Sequence, residues 1–517
     1  MFIKMSSKQN KLIIKKNLKK KEVSKILVKR GYSIIKEFFT NEQLENIKNS
    51  LTVKPFVNED FGPGAQPYPI YLESTKKLYL PKHYAFKELG EPDKNKLSNG
   101  FDIDVEFKGS LRDNQKPVIE KFLDTCKDGP FSENSRGGII SVGCGFGKTI
   151  MALYLLSKIS KKTIVIVHKE FLLNQWKKRI EEYLPDARVG IIQANKIDIK
   201  NKDIVIAMLQ SISMKEYDID ETFGNFGFTI VDECHHISAE VFCRSLPKIN
   251  SMYSLGLSAT PKRADGLSHV FESFLGPMVY KSENKDNKIV RVNTIFYNDT
   301  NKDYCKEELS FNGKVCIPRM INNIVENSQR NEMIKYIMIK LVNEGKQVLV
   351  LSDRRDHLSK LFSIASTFTT VGYYIGGMKQ KELEKSESKK IILGTYAMSS
   401  EGLDIPTLDA VIFTTPKSSI EQSIGRITRK KHESMPIAYD IVDNIHLFPR
   451  QYAKRETVYK RLKYEVYTLS VYVEENTQPS YFEYQIDTGF TKKEFSKKGK
   501  KKEVEEIAEC IIDSDED

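Results

Sequence analysis

Long hydrophobic runs are missing from this sequence: no apolar stretch among its 517 residues approaches the about eighteen needed to cross a bilayer as a helix. Cysteine is sparse. The seven present, Cys126, Cys144, Cys234, Cys243, Cys305, Cys316 and Cys510, contain no C-x-x-C pair, which argues against a zinc or iron–sulfur site and for a reducing compartment. Acidic residues are in deficit, 69 against 81 lysines and arginines, for a net charge of +12. Because Asp and Glu cluster at the C-terminal end, the rest is more basic still. That balance favours a polyanionic partner and leaves open whether it is DNA, RNA or a membrane surface. Residues 1–22 are lysine-studded with too short an apolar stretch for an export signal. They read as a basic tail, either a solvated end or a nucleic-acid contact, on a protein that is not secreted.

With 40% hydrophobic residues the chain can bury proper cores, and its length suits about three or four domains. Residues 23–107 combine a helical stretch, Asn41 to Leu51, with a Pro/Gly-rich aromatic segment, Phe56 to Tyr84. They read as a small strand-and-loop module and a candidate DNA contact. Within 108–285, short β-branched runs alternate with helical segments: Ile139–Val142, Thr163–Val167, Asp203–Ala207, Phe228–Val231 and Tyr253–Leu257. A second series with the same grammar fills 329–475: Gln347–Ser352, Gly372–Ile375, Lys390–Leu393, Ala410–Thr414 and Ile437–Ile441. Strands of that kind, buried on both faces and joined by helices, specify an α/β fold with two tandem doubly wound parallel sheets. The apolar-poor stretch 286–328 reads as a connection. Arg450 to Val471 reads as a helix whose Tyr452, Tyr459, Tyr464 and Tyr467 pack rather than stack on bases. In 476–517, lysines give way to Glu503–Asp517, a charged and disordered tail.

Two motifs carry chemistry. Gly143-Cys144-Gly145-Phe146-Gly147-Lys148-Thr149 follows the first apolar run and opens a helix to about Ser157, so free backbone N–H groups and a positive dipole end face an anion. In this arrangement Lys148 meets the β/γ-phosphates of ATP and Thr149 places a hydroxyl on Mg²⁺. Asp232-Glu233-Cys234-His235 follows Phe228–Val231, so Asp232 at the carboxyl end of a parallel strand would hold the same ion and Glu233 would activate the attacking water. Each motif alone has a plainer alternative. Val142 stands where the strict glycine-loop pattern wants Gly, leaving a tight turn before a helix, and an acidic pair after a strand also suits a helix N-terminus.

Order decides between them. The chain continues with Leu111–Gln115, Ile166–Glu170 with Gln175-Trp176, Ala207–Ser211, Ser258-Ala259-Thr260-Pro261, Leu349–Arg354, Gly394–Asp404 and Gln422–Arg429. This set resembles the superfamily 2 helicases and translocases from Leu111 to Asp443, and the resemblance implies two RecA-like domains. It assigns Arg112 and Gln115 to nucleotide sensing at the adenine end, and Arg426 and Arg429, on a helix, to the γ-phosphate, with Gln422 among the catalytic residues. Ser258, Thr260, Gly402 and Asp404 are assigned to coupling, and Lys169, Gln210 and Thr395 to the nucleic-acid backbone. Plainer roles remain for some of these, a helix cap for Ser258 among them.

Cys234-His235 departs from the DEAD-box pattern, and the nearer likeness is to the XPB-like group, most of all the poxvirus-type transcript-release helicases. Arg263-Ala264-Asp265 lacks the middle carboxylate of the group's Arg-Glu-Asp element, so the strand-opening role of that element is not carried over. The resemblance implies an ATP-dependent DNA helicase or translocase, moving 3′ to 5′ on duplex or single-stranded DNA, with RNA polymerase as a partner in transcript release. It points to the virion and host cytoplasm, or to the nucleus if the protein is not viral. Two alternatives stand beside it: an RNA helicase in mRNA metabolism, and a nucleic-acid clamp switched by ATP.

Overall fold

The computed structural model describes residues 23–56, 66–143, 145–236, 239–259, 266–282, 290–311, 313–401, 403, 405–428, 434–475 and 477–495. They fall into two compact units that divide between Glu283 and Asn284. No helix among them is long and apolar enough to cross a membrane.

The first unit begins with the N-terminal module. β1 (Lys25–Val28) and β2 (Gly31–Ile35) form a tight hairpin, and β3 (Thr52–Val53) and β4 (Tyr68–Pro69) make a short antiparallel ribbon. With β5 (Leu72–Glu73), β6 (Lys77–Leu80) and β7 (Lys94–Asn95) the hairpin builds a sheet in the order β5-β6-β2-β1-β7. The helix Asn41–Ser50 starts at a reciprocal cap, in which Thr40 Oγ1 accepts from the Gln43 N–H and Gln43 Oε1 from the Thr40 N–H. The module shares a core with the domain that follows: Leu27, Tyr32, Leu78, Leu80 and Phe86 pack in one cluster with Met252, Leu267 and Val270. The buried Lys82 donates to the carbonyls of Ser251 (2.5 Å) and Met252 (3.1 Å), and Asn250 Nδ2 donates to the Val28 carbonyl. Burial lowers the Lys82 pKa to about 7.

The rest of this unit is an eight-stranded sheet. Its strands are β8 (Gly137–Ser141), β9 (Thr163–Val167), β10 (Val189–Gln193), β11 (Lys196–Ile197), β12 (Ile204–Met208), β13 (Phe228–Val231), β14 (Tyr253–Ser258) and β15 (Met278–Lys281). The order is β11-β10-β12-β9-β13-β14-β8-β15, parallel throughout except for the β10–β11 hairpin. Crossover helices such as Lys148–Ile159 and Glu170–Tyr183 cover it, so β8, β9 and β13 are buried along their whole length.

The second unit repeats the plan with β16 (Arg291–Asp299), β17 (Val348–Leu351), β18 (Val371–Tyr374), β19 (Ile391–Gly394), β20 (Ala410–Phe413), β21 (Ile437–Asp443), β22 (Glu465–Val473) and β23 (Thr491–Lys492). The order is β18-β19-β17-β20-β21-β16-β22-β23, with only β22–β23 antiparallel. The chain is therefore an α/β protein of two tandem RecA-like doubly wound domains with a small N-terminal module.

Three expectations are corrected. The stretch 286–328 is no mere connection: β16 lies inside the second sheet, parallel to β21 on one side and β22 on the other. Its buried interior includes Asn293 and Thr294, which depress its apolar count. Residues 477–495 of the expected disordered tail form the helix Pro479–Thr488 and β23, with Phe482 and Ile486 buried in the core. Arg450 to Val471 is not one helix but the helix Phe448–Leu462 followed by β22, and Tyr452 and Tyr459 are buried there as packing residues.

Candidate active site

β14 lies between β8 and β13 in the first sheet, so the glycine loop, the end of β14 and the acidic turn emerge side by side at the carboxyl edge. In the glycine loop, Gly147 has φ +91° and caps the helix Lys148–Ile159. A β-carbon there would overlap the Gln115 amide, so the loop needs glycine for its backbone angle and for space. Gln115 is buried, and its Nε2 donates to the Phe146 carbonyl (2.7 Å) while its Oε1 accepts from the Arg112 N–H (2.9 Å). Arg112 Nη1 donates to the Gly145 carbonyl (3.1 Å). The two residues expected to sense the nucleotide thus clasp the backbone of the glycine loop from outside. Thr149 lies in the first turn of the helix, and Gly143 and Phe146 are partly buried beside it. Cys144 lies outside the described residues.

Opposite the loop, Glu233 has φ +45°, an uncommon left-handed backbone for a side chain of this kind. The turn it makes after β13 brings its Oε1 within 2.8 Å of Lys148 Nζ, with both side chains largely buried. Asp232 is buried at the strand end. Its Oδ1 accepts from the Glu233 N–H (3.0 Å) and its Oδ2 from Trp176 Nε1 (2.8 Å). Burial first, and the Glu233 charge second, push the Asp232 pKa up to about 6 against the pull of Lys148. His235 Nδ1 lies 3.5 Å from Glu233 Oε2 and 3.0 Å from Ser258 Oγ. Ser258 is the last residue of β14 and buried. Through His235 its hydroxyl joins the end of β14 to the acidic turn.

Two residues expected on the nucleic-acid backbone sit together. Lys169 precedes the helix Glu170–Tyr183 after β9, and Gln210 follows the neighbouring β12, its Nε2 donating to the His168 carbonyl (3.0 Å). Thr395 lies in the second unit, directly before the helix Tyr396–Glu401.

In that unit the expected helix carrying both arginines is shorter. It spans Glu421–Ile424, with partly buried Gln422 inside it and Arg426 in the turn beyond. Arg426 is buried, donating through Nε to the Ser399 carbonyl (2.7 Å) and through Nη1 to that of Leu403 (3.0 Å). Arg429, Thr260, Gly402, Asp404 and the stretch 263–265 lie outside the described residues.

Trp176 and His235 stand within the motifs Gln175-Trp176 and Asp232–His235, and motif membership alone implies no role for either. The signal for Trp176 is that it is the single tryptophan of the chain, set one position after the motif glutamine Gln175.

Residues 108–263 match the family described as type III restriction enzyme, res subunit, and residues 329–431 match the helicase conserved C-terminal domain. A protein of Acanthamoeba polyphaga mimivirus, named as an ATP-dependent RNA helicase, is 37% identical over 465 residues, covering 87% of this chain and 88% of the relative. A protein of Invertebrate iridescent virus 6, named as a helicase, is 30% identical over 386 residues, covering 69% and 83%. A protein of African swine fever virus, named as an ATP-dependent RNA helicase, is 25% identical over 367 residues, covering 64% and 70%.

Proposed function

We propose that this chain, which belongs to the superfamily 2 helicases of large DNA viruses and is an ATP-dependent hydrolase of that class, couples ATP hydrolysis to 3′-to-5′ movement along DNA during viral transcription. The observation that carries the engine is the cluster at the carboxyl edge of the first sheet, where Lys148, Glu233 and Asp232 converge beside a glycine loop that opens a helix. DNA as the track is supported by the restriction-enzyme family matched over 108–263, and the net charge of +12 suits a nucleic-acid track of either kind.

The residues present fit a triphosphate and its magnesium ion. The loop turns through glycines with positive φ at 145 and 147, leaving N–H groups for phosphate oxygens. Thr149 and Asp232 are the oxygen ligands that would hold Mg²⁺, which supplies neutralisation of charge on the β- and γ-oxygens. With Lys148 turned to the β/γ-phosphates instead of Glu233, the Glu233 carboxylate would take a proton from the attacking water. Lys148 is thus both the phosphate clamp and the brake on the base. Ser258 and His235 form a path from the end of β14 to Glu233, and with Thr260, Gly402 and Asp404 they couple the state of the nucleotide to the grip on DNA. Lys169, Gln210 and Thr395 provide that grip through phosphate contacts that ignore sequence. Because Arg426 is bound to the Ser399 and Leu403 carbonyls, it braces the turn after Glu421–Ile424. Gln422 and Arg429 then serve the γ-phosphate, Arg429 as its cation.

Transcript release, with RNA polymerase as partner, is the task we assign within transcription, in the virion and host cytoplasm. RNA is the second reading, favoured by the names of the mimivirus and African swine fever virus relatives. The test is ATPase stimulation by duplex DNA, single-stranded DNA and RNA, each over a salt series, alongside transcript release from a stalled polymerase. DNA stimulation that weakens steeply with salt is the expected result. Stimulation by RNA alone would overturn the DNA assignment in favour of the 2′-hydroxyl reader.

A further inference from the structure

We infer that Trp176 is a positioning residue for the ion-holding carboxylate, an inference that rests on the assignment of Asp232 to Mg²⁺. Trp176 sits on the helix Glu170–Tyr183 with 1% of its surface exposed, its ring held in one apolar cluster with Leu172, Leu173 and Ile180. From there its Nε1 reaches Asp232 Oδ2 at 2.8 Å. The other carboxylate oxygen accepts from the Glu233 N–H at 3.0 Å. Each oxygen therefore has one donor, and the plane of the carboxylate is fixed from two sides.

An indole suits this task because of what it cannot do. It has a single N–H, no acceptor and no accessible charge change, so it orients one oxygen without competing for the cation. Magnesium demands near-ideal octahedral geometry with ligands at about 2.0–2.1 Å, so a carboxylate free to rotate holds it less well. Donors to a ligating carboxylate matter for this reason, and removing one typically costs about 10–100-fold in metal affinity or activity. The plainer account is that a buried indole needs some acceptor for its N–H. Under that account the bond supports folding and leaves ion binding alone.

The test uses full-length protein and the Trp176→Phe variant, which keeps an aromatic ring and loses the N–H. Binding of a fluorescent ADP analogue is followed during a Mg²⁺ titration and again in excess chelator, with thermal melts of the apoprotein as the measure of folding. The expected result is a rise of about 10–100-fold in the Mg²⁺ needed for half-maximal binding, with chelator-resistant binding unchanged. A lowered melting temperature with an unchanged Mg²⁺ requirement overturns the inference. Asp232→Asn separates the two levels. If it too leaves the Mg²⁺ requirement unchanged, the assignment of Asp232 has failed; if it shifts the requirement and Trp176→Phe does not, the inference alone has failed. Should the Phe variant not fold, the parent protein decides. Trp176 is the single tryptophan in the chain, so its emission should change when Mg²⁺ is added to the nucleotide-bound protein, and emission indifferent to Mg²⁺ overturns the inference.

Discussion

Replacing Glu233 with glutamine should move two measurements in opposite directions. Its carboxylate stands 2.8 Å from the Lys148 ammonium, with side chains 14% and 11% exposed. A hydrogen bond between charged partners at that depth is worth about 1.5–3 kcal/mol, and an arriving triphosphate must break it to claim the lysine. Glutamine keeps the shape and removes the charge that competes with phosphate, so ATP should bind about ten- to a hundredfold tighter at about 1.4 kcal/mol per decade. On the role proposed for Glu233 the variant also loses the base for the attacking water, and turnover should fall by about 10²–10⁴. Calorimetric titration with a non-hydrolysable ATP analogue gives the first quantity, and steady-state hydrolysis with saturating nucleic acid gives the second. Unchanged turnover would show that the base lies elsewhere. Slow turnover with weaker binding would show that Glu233 supports the lysine rather than competing for it.

Two further outcomes concern the second unit. Arg330 and Asp443 are fully buried and joined by two bonds, Nε to Oδ1 at 2.7 Å and Nη2 to Oδ2 at 3.0 Å, with the Tyr304 hydroxyl also donating to Asp443. Arg330→Met should cost about 3–5 kcal/mol in urea denaturation by leaving a buried charge uncompensated, and adding Asp443→Leu should recover much of it; a negligible cost for the single variant would contradict the buried pair. His357 lies between Ser352 Oγ and Asn331 Oδ1, and burial, with Arg330 and Lys360 nearby, lowers its pKa from 6.5 to about 3. The unfolded chain therefore binds the extra proton between those values, and stability is lost as pH falls below 6.5. The loss is about 1.4 kcal/mol per pH unit, or about 2 kcal/mol by pH 5. Denaturation at pH 7 and pH 5 should show that loss shrinking in His357→Asn, and equal losses in both proteins would refute it.

The fold was legible wherever burial on both faces wrote itself as an unbroken apolar run. Thr163–Val167 and Phe228–Val231 begin and end where the runs do, and most other strands shift by one or two residues. β16 escaped because its interior carries Asn293 and Thr294, whose burial depends on neighbours that pair with it only in the fold. The helix Pro479–Thr488 escaped because only Phe482 and Ile486 are fully buried in it, too thin a stripe among charged neighbours. In the site, residue types and order named Lys148, Asp232 and Glu233 as candidates. They could not reveal that Glu233 would adopt positive φ and reach the lysine, that Gln115 and Arg112 would hold the loop's own carbonyls, or that Arg426 would be buried against Ser399 and Leu403. Those facts depend on backbone turns and on partners distant in sequence.

The module before the first RecA-like domain has no independent footing. Lys82 is anchored on two carbonyls immediately before β14, the strand that ends in Ser258, and the two parts share a single hydrophobic centre. The appendage must therefore travel as one body with the first RecA-like domain, because any swing of its own would tear open the interior that holds both together.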